Sequence, residues 1–298
     1  MKNKKDLMSK FKKNLPGWIL ILPALLCVYF LIVRPQALGI AYSFAEMKGF
    51  RITGFAGLDN YIRVLKDSMF GKLLLNTFSY TLWSIVIGYF VPIFLAIVLN
   101  EMVHFRNGFR IITYFPAALP GVAVMMLWYF LYYPDASGLF NMLLMKLGFE
   151  PYVWLQDTMW VIPWVVIPMT WHGSGATALY YFAALQGVNR ELYEAAVMDG
   201  AGFIKRIRVV AFPHIASISL LFLVKQIIGV FSILEQPLQM TDGGPNNASM
   251  TLGLQAYRYA FVQGKPQLGM ALSVIMFLIL CLATVFYFKM EKKFSENM

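Results

Sequence analysis

Charge is scarce in this chain. Of its 298 residues only 13% are Asp, Glu, Lys or Arg, about half the share usual in soluble domains. Acidic residues are fewer than basic ones, 15 against 25, which leaves a formal charge of +10. There are two cysteines, Cys27 and Cys281, each inside an apolar stretch, where they read as packed free thiols and not as a disulfide. The three histidines, His104, His172 and His214, fall on separate segments. No HExxH pattern or Cys/His cluster is present, so no metal site is expected. The Gly-Lys pairs at Gly71-Lys72-Leu73 and Gly264-Lys265-Pro266 are not followed by Ser or Thr, so there is no Walker A loop. The run Trp171-His172-Gly173-Ser174-Gly175 lacks the strand–turn–helix setting of a nucleophile elbow. Small-residue helix packing explains it better. An ATPase, a metalloenzyme and a serine hydrolase are all disfavoured.

What is abundant is apolar. Hydrophobic residues make up 59%, aromatics 16%, and mean hydropathy is +0.62. A soluble domain of this size has too little interior to hide that much, and disorder needs the opposite composition. A helix crosses the hydrocarbon with about 20 apolar residues, and six stretches qualify: 14–44, 73–100, 111–134, 158–182, 209–234 and 266–288. The expected fold class is an all-α polytopic membrane protein of six transmembrane helices, a single transmembrane domain over 1–298.

Six spans put both ends on one side. With the termini cytoplasmic, the inside segments hold fifteen basic residues and the outside loops eight, as the positive-inside rule requires. The positive charge is therefore read as topology, with lipid as the partner and no role for nucleic acid.

Ionisable groups within spans are functional candidates. Lys225, next to Gln226, lies deep in the fifth stretch. It either faces a wet cavity or, if the span begins nearer Pro213, snorkels to the interface. Glu235 and Gln236 close the same stretch. Trp18, Trp154, Trp160 and Trp164 read as an interfacial belt. Trp128, Tyr129, Trp171, Tyr180 and Tyr181 lie deeper and are candidates for lining a pathway.

The segment 187–213 is unlike the other connections. Asn189 is a natural N-cap, Glu191 stands in the first turn, and Arg190–Met198 are good helix formers. Gly200 and Gly202 permit a left-handed stop, and a short amphipathic piece then leads to Pro213. A loop with this much order is a docking element for a soluble partner.

Glu194-Ala195-Ala196, Gly200 six residues after Glu194 and Pro213 nineteen after it resemble the EAA loop of binding-protein-dependent ABC importer permeases. The turn Asp199-Gly200-Ala201 fits as well. The Pro23…Pro35…Tyr42-Ser43-Phe44 pattern and Thr241-Asp242-Gly243-Gly244-Pro245 point within that family to the maltose-transporter-like carbohydrate permeases. Departures are Arg190, at the N-terminus of the motif where the family often has Pro, and the apolar-for-apolar Val210 and Phe212, where the motif has Ile and Leu. The resemblance implies a type I ABC importer permease fold in the bacterial cytoplasmic membrane, paired with a second permease subunit and carrying a sugar or oligosaccharide. It also implies an extracytoplasmic solute-binding protein and an ATP-binding subunit dimer that uses ATP-Mg, this chain itself holding no cofactor. Glu194 would anchor the partner and Gly200 would form the turn. A secondary transporter or channel for a small polar solute is the alternative, and it leaves the ordered loop without a purpose.

Overall fold

The computed structural model describes residues 2–102 and 104–295. Among the basic residues used to orient the chain, the side chains of Lys2, Lys4, Lys5, Lys10, Lys12, Lys13, Arg190, Lys292 and Lys293 lie outside the described residues.

The chain is a helical bundle with one small hairpin. Helix α1 runs over Lys2–Val28, through a π-helical stretch Tyr29–Val33, and on over Arg34–Ser43. An antiparallel hairpin follows, β1 Ala45–Lys48 and β2 Arg51–Phe55, so the fold is not purely helical. Then come α2 Asp59–Leu65, α3 Phe70–Glu101, α4 Arg106–Ala118, α5 Gly121–Leu131 and α6 Leu139–Lys146. The remainder is α7 Val161–Leu185, α8 Arg190–Met198, α9 Phe203–Phe231, α10 Glu235–Met240, α11 over 252–262 and α12 Pro266–Ser295.

Proline accounts for much of the local irregularity. The π-helical stretches Tyr29–Val33, Ser84–Tyr89 and Ile207–Ala211 each precede a proline within the helix: Pro35, Pro92 and Pro213. Proline has no N–H for the carbonyl four residues back, and a widened turn accommodates the gap. Pro213 therefore does not break the chain. The residues from Phe203 onward belong to α9, and among the described residues no separate amphipathic piece precedes it.

By length and apolarity the described residues hold four span-forming helices: Gly17–Ser43 within α1, α3, α9, and Pro266–Val285 within α12. The stretch 111–134, read as one span, is instead α4 and α5, bent by 95°. Leu119 is extended (ψ 148°) because it precedes Pro120, and Pro120 has left the helical region (ψ 130°). If that bent pair is one span, the count is five. The stretch read as 158–182 forms α7, unbroken for 25 residues and about 37 Å long. It is less apolar than the others, with His172, Thr170, Ser174 and two glycines among its residues. It tolerates them because it stands at the centre, packed against α3, α4, α5 and α9.

Three buried clusters hold the bundle. One joins α3, α5 and α7 through Tyr80, Val124, Met125, Val161 and Val165. A second joins α3, α7 and α9 through Ala96, Leu99, Ala178, Leu185 and Ile215. The third packs α12 on Leu73, Phe231, Met250 and Leu252. In lipid the apolar surround is no worse than the core, so these contacts act through close packing and not through transfer from water. α1 is the exception, since its apolar window buries nothing against the rest of the chain.

Candidate functional site

A cavity of about 520 Å³ opens between α3, α7 and α9 and is closed at one end by residues 232–236. The α3 wall is the π-helical turn, with Ser84, Gly88 and Tyr89, and α7 contributes Thr170, Ser174, Thr177 and Tyr181. The α9 wall is Phe222, Lys225, Gln226 and Gly229, and Glu235 and Gln236 reach in from the end. Lys225 lies over the Phe222 ring, 5.7 Å from its centroid. Neither Lys225 nor Glu235 takes part in an ion pair within the described residues. A cavity that sets hydroxyls, amides and one charge of each sign among apolar side chains is suited to a polyhydroxylated solute, whose groups both donate and accept.

Of the pathway candidates, the structure brings Tyr181, Lys225, Gln226, Glu235 and Gln236 together at this cavity. Glu235 does so from the first turn of α10, because α9 already ends at Phe231. Trp128 and Trp171 pack against each other, with ring centroids 5.9 Å apart, away from the cavity. Tyr129 and Tyr180 point outward, Tyr180 against Phe222. Its neighbour Tyr181 is the one that lines the cavity. The wall residues Ser84, Gly88 and Thr170 escaped the sequence reading. Their signal was small or polar residues inside otherwise apolar runs.

The run around Ser174 is explained by packing. A side chain at Gly175 would collide with the Thr113 carbonyl, so glycine lets α4 cross α7 closely. His172 Nε2 stands 3.1 Å from the Leu119 carbonyl, an acceptor orphaned where α4 ends. Trp154 and Trp164 do not form a lipid-facing belt. They meet at 4.9 Å in an aromatic group that includes Tyr132 and Phe140. Asn141 organises it, accepting from the Tyr152 N–H and from Trp154 Nε1 and donating to four carbonyls.

The second site is the 187–213 segment. Asn189 Oδ1 accepts from the Glu191 N–H at 3.1 Å and caps α8. At the other end Ala201 N–H donates to the Ala196 carbonyl at 2.8 Å and Gly200 N–H to that of Val197 at 2.9 Å, the paired bonds of a Schellman stop. Gly200 carries the left-handed residue, φ +72°. Gly202 is extended instead and caps α9. Glu194, Ala195, Asp199 and Gly200 are exposed, Ala196 is half-buried and Ala201 buried. Leu192, Val197, Met198 and Ile204 also stand exposed around them. Pro213 lies ten residues beyond Phe203, inside α9. Beneath α8 a smaller cavity of about 290 Å³ is lined by Glu194, Tyr193, Asn100, Glu101 and Arg106. Burial pushes the Tyr193 phenol up from its ordinary pKa, and the nearby Glu101 charge adds to the shift.

A multi-pass helical bundle with an internal polar cavity and an ordered extramembrane helix is the build of a membrane permease subunit. Residues 88–294 match the binding-protein-dependent transport system inner membrane component family, and the chain belongs to it. It is 29% identical over 243 residues to the arabinooligosaccharides transport system permease protein AraP of Bacillus subtilis, covering 81% of this chain and 77% of that one. To the trehalose/maltose transport system permease protein MalF of Thermococcus litoralis it is 28% identical over 289 residues, covering 95% and 96%. A chain from the crystal structure of a bacterial ABC transporter involved in the import of the acidic polysaccharide alginate superposes with TM-score 0.84, over 97% of this chain and 99% of that one. Sequence identity there is 21%, so that likeness is one of fold.

Proposed function

We propose that the chain is one of two permease subunits of an ATP-driven importer of a sugar or oligosaccharide, working in the bacterial cytoplasmic membrane. The observation that carries this reading is α8, a capped helix outside the spans that shows Leu192, Val197 and Met198 to solvent beside Glu194. Exposed apolar side chains on a polar, ordered helix mark a protein-docking face. α8 would seat in a cleft of an ATP-binding subunit, with Glu194 as anchor and the Gly200 turn setting its angle. The ATP-binding pair would hold ATP-Mg, and this chain would bind no cofactor. Both termini and α8 would be cytoplasmic, with six crossings formed by α1, α3, the bent α4–α5 pair, α7, α9 and α12. The outer loops would receive an extracytoplasmic solute-binding protein, and the α3–α7–α9 cavity would carry the sugar. The curated relatives, named for arabinooligosaccharide and trehalose/maltose transport, support the substrate class.

Nucleotide can drive transport only if it binds two states of the assembly with different affinity, and α8 is the part of this chain placed to report that difference. The test is reconstitution of the chain with its genomically adjacent permease and binding protein and an ATP-binding subunit. Uptake of labelled maltodextrins and arabinooligosaccharides should require ATP, the ATP-binding subunit and the binding protein together. Uptake that persists without ATP and without that subunit would establish a secondary transporter or channel instead.

A further inference from the structure

The cytoplasm-proposed ends of four long elements meet at one polar knot beside α8. Glu101, the last residue of α3, accepts a 2.9 Å hydrogen bond from the Arg206 guanidinium, near the start of α9. Both side chains are about three-quarters withdrawn from solvent, at 24% exposure each. Next to them Asn100 donates through Nδ2 to the Tyr193 hydroxyl of α8 at 3.2 Å and accepts through Oδ1 from Gln186, at the end of α7, at 2.9 Å. Arg106, opening α4, donates to the Asn100 and Met102 carbonyls that α3 leaves unpaired at its end.

The two partners of the ion pair sit on two of the helices that wall the cavity, α3 and α9. From Glu101 back to Gly88 is about 20 Å of helix, and from Arg206 on to Lys225 about 28 Å, at about 1.5 Å per residue. α8 itself is joined covalently to α9 through the turn 199–202 and to α7 through 186–189. It has no covalent route to α3. The hydrogen bonds and ion pair of the knot supply a non-covalent one at this end of the helices.

We propose that Glu101 and Arg206 are positioning residues for energy coupling: their ion pair clasps α3 to α9, so that displacement of α8 moves both cavity walls together. This rests on the reading of α8 as the ATPase-docking helix. Without the clasp, α8 would still dock and still pull on α9, while the α3 wall would lag. Hydrolysis would then continue and transport would fall.

The test uses the reconstituted complex with its ATP-binding subunit and binding protein, comparing Glu101→Gln, Arg206→Gln and the charge-reversed double variant Glu101→Arg/Arg206→Glu. Readouts are sugar taken up per ATP hydrolysed, stimulation of hydrolysis by the loaded binding protein, and yield of assembled complex. The expected result is assembly and basal hydrolysis within about twofold of wild type in the single variants, with uptake per ATP down roughly tenfold, as loss of a charge-assisted hydrogen bond predicts. The reversed pair should recover at least about half of it, since the attraction between opposite charges is unchanged by exchanging them. Single variants that transport with normal yield per ATP would overturn the clasp, as would a reversed pair that assembles and stays uncoupled. Should the ion-pair variants fail to assemble, Tyr193→Phe removes only the hydroxyl bonded to Asn100. A fall in uptake per ATP then supports the knot as the coupling route, and an unchanged ratio overturns it. A wild-type complex whose hydrolysis is not coupled to uptake refutes the docking reading of α8 and the clasp with it. Wild-type coupling with indifferent variants refutes the clasp alone.

Discussion

Gln226 Nε2 donates a 2.6 Å hydrogen bond to the Ser84 carbonyl, joining α9 to the π-helical turn of α3 across the edge of the cavity. Ser84 opens the widened turn that precedes Pro92, and its carbonyl is the acceptor turned toward α9. One irregularity in α3 thus supplies both the polar lining and the partner that holds α9 beside it.

Gln226→Ala should therefore destabilise the purified protein by about 1 kcal/mol, the usual net worth of such a bond. Thermal unfolding in detergent measures it. An unchanged midpoint would show that water replaces the amide at Ser84 without loss.

Lys225→Met and Glu235→Gln should leave folding within about 0.5 kcal/mol of wild type, since neither side chain belongs to an ion pair among the described residues. Uptake should fall roughly tenfold or more for each, because a hydrogen bond to a charged group contributes about 1.5–3 kcal/mol. Transport assays at matched amounts of assembled complex separate the two effects. Full activity of both variants would remove them from the pathway.

At the α4–α7 crossing, Gly175→Val puts a side chain onto the Thr113 carbonyl, and overpacking of this kind costs about 1–3 kcal/mol or more. Gly173, two residues earlier, has nothing within 4 Å of the position a Cβ would take. Gly173→Ala should fold normally, and slightly more stably because alanine favours the helix by about 1 kcal/mol. Yields of folded protein for the two variants make the comparison.

Gly200→Asp places a non-glycine residue at φ +72°, a strain of about 1–2 kcal/mol, and adds a carboxylate to the proposed docking face. The open space around Gly200 means the rest of the fold is undisturbed. The complex should assemble and hydrolyse ATP while uptake falls. Normal uptake by an assembled Gly200→Asp complex would show that the turn does not transmit coupling.

The long apolar runs were legible because membrane burial imposes a length and an apolarity that few other sequences meet. α8 was legible for a different reason. Its N-cap Asn189 and its stop at Gly200 act within a few residues of chain, and no distant contact is needed to set them. The 95° bend within 111–134 was not anticipated, although its cause was present in the residues. Leu119-Pro120-Gly121 is a helix stop, but apolarity outweighed it in the reading. Carrying the fifth span on to Leu234 missed the end of α9 at Phe231 for the same reason, since nothing in the composition marks it.

The pathway candidates show where local information runs out. Trp128 and Trp171 have the chemistry of a sugar platform, yet they pack on each other, and Tyr181 rather than Tyr180 faces the cavity. Which side of a helix meets a neighbour depends on how the helices are rotated against each other, and for α7, packed by protein on most sides, apolar periodicity carries no direction.

The sequence by itself determined that this chain lives in a membrane, which of its ends and loops carry the positive charge, and that one loop holds a stopped and capped helix. Each of these follows from hydropathy, charge or short-range backbone preference. Tertiary structure alone decided that Ser84, Lys225 and Glu235 share one cavity and that Glu101 reaches Arg206. Those pairs are separated by ten to more than a hundred residues, and only the packing of α3, α7 and α9 brings them within reach.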